Sequence, residues 1–218
     1  QFLPDFDLLM KTEQETPHHM YNVGEHTLHA LMRVRPDRIL RITMLLHDMG
    51  KPEYKTMDET GQAHFKKHAI GSEHIAKEIL KRLKFDNETI RTVARLVLYH
   101  DYRMPAEAKN VRRAMNKIGE DIFEYYMEVR RADVLAQSTY LRERKLKNLD
   151  DIEILYAKIK EAKQCVSLKE LAVSGSDLIA IGIKPGKEIG EILNRLLEMV
   201  IEDPELNQKE ILLKKATI

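Results

Sequence analysis

Apolar residues recur along most of this chain at steps of three and four, the spacing of one face of an α-helix. Over residues 38–49 the stripe is Ile39, Ile42, Leu45, Leu46 and Met49. Over 70–83 it is Ile75, Ile79, Leu80 and Leu83, and over 92–100 it is Val93, Leu96 and Val97 with His100 on the same face. Similar segments occupy 111–118, 120–136, 152–162 and 189–201. No segment alternates with period two for long enough to make a convincing strand. The pattern predicts an all-α fold, a bundle of helices. Gly50-Lys51-Pro52 is expected to stop the helix before it, and Met104-Pro105 to end the helix that carries His100. Residues 58–61 form a polar turn, 174–177 open a new helix, and 182–186 make a tight turn. The stretch 164–174 is the expected boundary between a main domain, residues 1–163, and a small helical tail, residues 164–218.

Several apolar stripes carry a residue that burial penalises. His26 shares a face with Val23, Ala30 and Val34; His47 and Asp48 close an apolar helix; Asp133 follows Ile122 and Val129 at helical steps. A carboxylate on such a face is costly unless a cation or strong hydrogen-bond donor meets it. Four such residues on separate helices suggest convergence on one cation. The alternative is a set of core polar groups satisfied by ordinary hydrogen bonds. His47 and Asp48 are adjacent, about 100° apart on a regular helix, so a fraying helix end before Gly50 is expected to let both reach one ion. Composition sharpens this reading. There are nine His, no Trp and one Cys, Cys165, so a thiolate zinc site and an intramolecular disulfide are excluded. Imidazole plus carboxylate suits Mn, Fe, Co, Ni, Mg or Zn without selecting among them.

The pattern His26 … His47-Asp48 … Asp133, with Leu45-Leu46-His47-Asp48-Met49-Gly50-Lys51-Pro52 at its centre, resembles the HD-domain metal-dependent phosphohydrolase superfamily. The resemblance implies His26, His47, Asp48 and Asp133 as metal ligands. It also implies His68 and His100 as ligands of a second ion, with Asp48 bridging one ion to the other. Over a longer span, Pro17 through Leu28, the tail from Ser174 through Gly190, and Asn207 resemble the HD domain and tail of bacterial CCA-adding tRNA nucleotidyltransferases. Those enzymes carry a head with a Gly-Ser pair followed by Asp-x-Asp. Asp5-Phe6-Asp7 has no Gly-Ser upstream, and Gly71-Ser72 and Gly175-Ser176 have no Asp-x-Asp after them. By itself the chain is therefore not expected to add nucleotides.

What the resemblance implies is hydrolysis of a phosphomonoester or phosphodiester of a nucleotide or RNA end. One or two divalent ions would lower the pKa of a water, and Asp48, Lys51, His68 and His100 would be the catalytic residues. Lys51 would neutralise phosphoryl charge. His68 and His100 would hold an ion or, with a single ion, protonate the leaving group. His18, His19 and Tyr21 would line the mouth of the site. The competing expectation is an accessory, tRNA-binding body of a nucleotidyltransferase. Of the other histidines, His74 reads as surface, His64 as solvent-facing and His29 as structural, while Asp101 reads as a helix-end cap. Net charge bears on partners: 36 Lys+Arg against 35 Asp+Glu gives +1, which excludes the strongly basic nucleic-acid binders but not a local stripe. The clusters Lys109, Arg112, Arg113, Lys117 and Arg142, Arg144, Lys145, Lys147 are candidates for tRNA phosphates or for solvated helix faces. The turn 184–187 resembles a phosphate-accepting helix start. No apolar run reaches the roughly 20 residues of a membrane span, and a cytoplasmic address is expected.

Overall fold

A computed structural model describes residue 3 and residues 5–217. Its helices, in chain order, are α1 (Phe6–Met10), α2 (Val23–Leu31), α3 (Arg38–Leu46), α4 (Lys51–Tyr54), α5 (His68–Arg82), α6 (Asn87–Tyr99), α7 (Ala108–Ile118), α8 (Phe123–Ala136), α9 (Arg142–Glu161), α10 (Gly175–Ala180), α11 (Lys187–Glu202) and α12 (Lys209–Ala216). The fold is mostly helical, as the periodicity predicts. Starts are set by side-chain caps: Asn22, Asp37 and Asp86 accept from the backbone N–H three residues on. Ser174 and Asp177 form a reciprocal capping box at α10.

Two local expectations are corrected. A two-stranded antiparallel hairpin, β1 (Thr56–Met57) and β2 (Ala63–His64), lies between α4 and α5. Each strand has two residues, too short for an alternation to register in sequence. Its turn is held by Asp58, which accepts from the N–H groups of Thr60 and Gln62. The helix does stop, α3 ending at Leu46, but the segment after it does not fray. Met49 N–H donates to Leu46 O and Lys51 N–H to Asp48 O, so the chain tightens into i−3 turns. Pro52 then sits in the first turn of α4, where its missing N–H costs nothing.

The chain divides into two compact units: the described residues of 1–103 with 121–150, and those of 104–120 with 151–217. This division runs elsewhere than the 163/164 boundary. α7 falls with the tail because its side chains bond there: Arg112 Nε donates to Ile201 O at 2.7 Å, and Asn116 Nδ2 to Val166 O at 2.8 Å. The second unit has its own core of Leu178, Leu196, Leu197, Val200, Ile201 and Leu212.

In the first unit, α3 is the central element. Leu46 enters a cluster with Leu9, Val23, Ile79 and Val97, while Leu40 and Met44 enter a second with Ala30, Val129 and Ala132. α3 thereby packs against α2, α5, α6 and α8. Those helices carry His26, His68 and Asp133, with His100 capping the end of α6, so the residues just past the end of α3 lie where all of them meet. Among the described residues no helix is long and apolar enough to cross a membrane.

Candidate metal centre

The close approach of α5 to the end of α3 is permitted by Gly50. Its backbone is right-handed, φ −80°, so conformational freedom is not the reason for a glycine. A Cβ there would lie 2.5 Å from His68 O and 2.7 Å from Ser72 N. Gly50 N–H also donates to Ser72 Oγ at 2.9 Å. The glycine holds the first turn of α5, with His68, against the Asp48 turn.

His26, His47, Asp48, His68, His100 and Asp133 are all buried and converge. Three of the histidines share one device. His47, His68 and His100 each donate Nδ1–H to the carbonyl three residues earlier, Met44, Phe65 and Val97, at 2.6, 2.7 and 2.7 Å. His26 Nδ1 faces Ala136 O at 3.4 Å. A carbonyl can only accept, so Nδ1 of His47, His68 and His100 carries a proton, and in a neutral ring Nε2 is then a lone pair aimed inward; His26 Nε2 has the Asp133 carboxylate at 3.0 Å. The inward nitrogens face each other: His68 Nε2 to His100 Nε2 is 3.2 Å, and His26 Nε2 to His47 Nε2 is 3.4 Å. Two acceptors at that range repel unless a proton or a cation stands between them.

Asp48 sits between the two pairs. Its Oδ2 is 3.2 Å from His47 Nε2 and 3.6 Å from His26 Nε2. Its Oδ1 is 3.3 Å from His68 Nε2 and 3.4 Å from His100 Nε2. Neither oxygen completes a hydrogen bond, although the Lys51 ammonium lies 2.7 Å from Oδ2. Burial alone would raise the Asp48 carboxyl, but the neighbouring His47 and Lys51 hold it well below the usual carboxylate range. The two triads His26/His47/Asp48 and Asp48/His68/His100 each bring their ligand atoms within 4.8 Å of one another, close enough to hold a metal ion. Asp133 adds Oδ1 at 3.0 Å from His26 Nε2. Satisfied core polar groups would show donors facing acceptors. Here imidazole Nε2 atoms face one another across the buried Asp48 carboxylate, which is paired with Lys51 on one oxygen only, so the donor set fits a divalent cation or a pair of them.

The surrounding shell contains residues that sequence reading passed over. Gln137 Nε2 donates to Asp133 Oδ2 at 2.9 Å, and Arg130 Nη1 lies 3.4 Å from the same oxygen and 3.0 Å from His100 O. They stand three residues before and four after Asp133, on its face of α8, so helical spacing could have flagged them. Gln14 carries no such signal. It lies in a loop, donates to Tyr21 O and accepts from Lys51 Nζ at 2.8 Å.

A cavity of about 290 Å³ opens onto the centre, lined by Asp48, Lys51, His68, His100 and Asp133 and, towards its mouth, by His18, His19, Phe65 and Arg103. His18 and His19 are placed as expected. Tyr21 is not among the lining residues; it stacks on His29 at 4.2 Å. His64 is only half-buried and pairs with Asp58 at 2.7 Å, but it and Asp101 both border the cavity. His74 is on the surface beside Glu78. Burial, then Lys51 and His26, push His19 down to about 2, so that ring is neutral. Of the basic clusters, Arg112 is neither a phosphate contact nor solvated: it is buried and caps the end of α11. Arg113 pairs with Glu202 at 2.5 Å.

The family described as tRNA nucleotidyltransferase domain 2 matches residues 63–216. The chain is 33% identical over 208 residues to the CC-adding tRNA nucleotidyltransferase of Thermus thermophilus, covering 92% of this chain and 46% of that protein. It is 30% identical over 190 residues to the A-adding tRNA nucleotidyltransferase of Deinococcus radiodurans, covering 83% and 43%. Over 154 residues it is 27% identical to a bifunctional uridylyltransferase/uridylyl-removing enzyme of Streptomyces coelicolor, covering 62% and 17%. The chain thus spans less than half the length of these relatives. A family match across most of the helical chain, with tRNA nucleotidyltransferases among its relatives, establishes that the chain belongs to the tRNA nucleotidyltransferase domain 2 family.

Proposed function

We propose that this chain is the tRNA-handling helical body of a tRNA nucleotidyltransferase, and that its buried centre is a divalent-metal site for hydrolysis of a nucleotide or RNA-end phosphate ester. The first part is supported by the family match and by the names of the relatives. The second is supported by one observation: two pairs of facing imidazole Nε2 atoms on either side of the buried Asp48 carboxylate. This is the ligand arrangement that the HD-domain resemblance implies, and one relative is named for both adding and removing a uridylyl group.

His26, His47, Asp48 and Asp133 would hold one ion, and Asp48, His68 and His100 a second. A divalent cation there would supply Lewis acidity toward a phosphate oxygen and a water of lowered pKa. The Lys51 ammonium, steered by Gln14, is placed on the cavity side of Asp48 to meet phosphoryl charge. His68 and His100 each have Nδ1 committed to a carbonyl and one nitrogen free. A ring that ligates through it cannot also protonate a leaving group, so with two ions bound both serve as ligands, and only with one ion would either act as the acid.

Protein purified without chelator is expected to carry about one to two ions per chain. With added Mn or Ni it is expected to hydrolyse nucleotide phosphates. Asp48→Asn should lose both properties while its far-ultraviolet circular dichroism stays native. Equal metal content and equal activity in both proteins overturn the hydrolase reading. The body reading is tested apart from it by filter binding of tRNA to both proteins at low salt. Binding that falls with salt supports it, and no binding overturns it.

A further inference from the structure

Beside the metal centre, on the Asp133 side, lies a cluster of cations that the hydrolytic reading leaves unused. Lys145 Nζ is half-buried, and the hydrogen-bond partners of that ammonium are neutral: Gln137 Oε1 at 2.7 Å and His18 Nδ1 at 3.2 Å. Gln137 passes the contact on to Asp133 Oδ2. Because the ammonium can only donate, His18 Nδ1 accepts, and Nε2 of that ring carries the proton. Tyr140 packs against the His18 ring at 5.0 Å and fixes it. His18 and Arg103 both line the cavity that holds Asp48, Lys51 and Asp133. Arg142 adds a further guanidinium, donating to Gln137 O, with its Nε buried and unpartnered. The electrostatics agree with this crowding: burial and then Arg103 depress the Lys145 ammonium, and burial, Lys145 and Arg103 depress His18. Asp101 is the acidic group that also borders the cavity here, besides the ligand carboxylates. Cations gathered around a cavity, Lys145 half-buried and Arg103 exposed, repel one another unless an anion joins them.

We infer that Arg103, His18 and Lys145 form a second phosphate subsite, so that the substrate of this centre carries a second phosphate group beside the one that reacts. This rests on the hydrolytic reading for which phosphate reacts. The subsite itself is a property of the chain's own cations. His18 Nε2–H and the Arg103 guanidinium would donate to the second phosphate, and Lys145 would hold the His18 tautomer from behind. The chemistry favours an oligonucleotide end or a nucleoside bisphosphate over a lone phosphomonoester.

The test is calorimetric binding to the full chain in EDTA, where nothing turns over. The probes are adenosine 3′-phosphate, adenosine 3′,5′-bisphosphate and a 3′-phosphorylated diadenosine dinucleotide. One or both two-phosphate probes should bind about tenfold more tightly than the monophosphate, as expected for charge-assisted hydrogen bonds. Which of them gains separates a bisphosphate source from an oligonucleotide end. Arg103→Gln and Lys145→Gln should each shrink that preference below about threefold. Lys158→Gln, an exposed lysine of the other unit, is the charge control and should leave it intact. Equal affinity for all three probes, or a preference that both variants retain, overturns the inference. Manganese uptake measured on the same preparation keeps the two ideas apart. Uptake without a preference removes the subsite and leaves the hydrolytic reading standing. A preference without uptake keeps the subsite and removes that reading.

Discussion

Gly50→Ala isolates the packing that builds the centre. The added methyl would meet two backbone atoms of the first turn of α5, His68 O at 2.5 Å and Ser72 N at 2.7 Å, where ordinary contact begins at 3.4 Å. Neither atom can rotate away as a side chain would, so α5 and the Asp48 turn must separate by about 0.9 Å. That displacement also stretches the Gly50 N–H to Ser72 Oγ bond beyond useful range. Overpacking of this kind costs about 1–3 kcal/mol and the lost hydrogen bond about 1 more, or roughly 2–4 kcal/mol in total. With a urea slope of about 2 kcal/mol/M, the midpoint should fall by about 1–2 M. The damage should be local, so hydrogen exchange is the sharper assay: amides of residues 68–72 should lose protection. Metal uptake should fall too, because His68 moves with that turn. Gly190→Ala is the internal contrast. Nothing lies within 4 Å of a Cβ at this position in α11, so the substitution should stabilise by about 0.5–1 kcal/mol. A Gly50→Ala protein with an unchanged midpoint and unchanged exchange at 68–72 would refute the close approach and the placement of His68 that depends on it.

Three further outcomes are expected. Arg112→Ala strands Ile201 O, Glu202 O and Gln164 Oε1, all now accepting from the guanidinium. It should cost about 2–4 kcal/mol in a urea melt, with Arg112→Lys recovering less than half because an ammonium cannot span three acceptors. The Asp86 carboxyl is held below the usual range by the Thr89 hydroxyl and N–H. Its folded pKa is depressed, so its stabilisation is present above the unfolded value of about 3.9 and is lost as pH falls through the folded one. Asp86→Asn keeps a capping oxygen at neutral pH and should flatten that part of the acid limb, read as urea midpoints from pH 5 to pH 2.5. An identical acid limb in the variant would count against it. Cys165 is buried, and burial pushes its thiol up to about 11. Ellman's reagent at pH 8 should therefore react slowly with the native protein and quickly in denaturant; fast native labelling contradicts that environment.

Helix identity was legible because periodicity is local. The stripe of Val93, Leu96 and Val97 reports the buried face of α6, and Ser174 announces a helix start, whatever the rest of the chain does. The β1–β2 hairpin escaped because two residues per strand hold no period. Five of the six converging residues were legible for a different reason: imidazoles and carboxylates on apolar faces are expensive enough to stand out singly, whereas His68 came only from the HD-domain resemblance. Gln14 did not stand out, because a loop glutamine carries no such penalty until Lys51 is found beside it.

By itself, then, the order of residues determined a mostly helical protein and the chemical character of its centre, nitrogen and oxygen donors without thiolate. Tertiary structure alone decided the role of each donor. His26 and Asp133 are 107 residues apart and touch because α2 packs directly on α8 and both pack on α3. The opposed Nε2 atoms, the buried Asp48 between them, the glycine that α5 crowds and the turning inward of Arg112 all depend on which helix meets which. Propensity and spacing act within a few residues, whereas the partners of a buried polar group are chosen by the packing of distant segments.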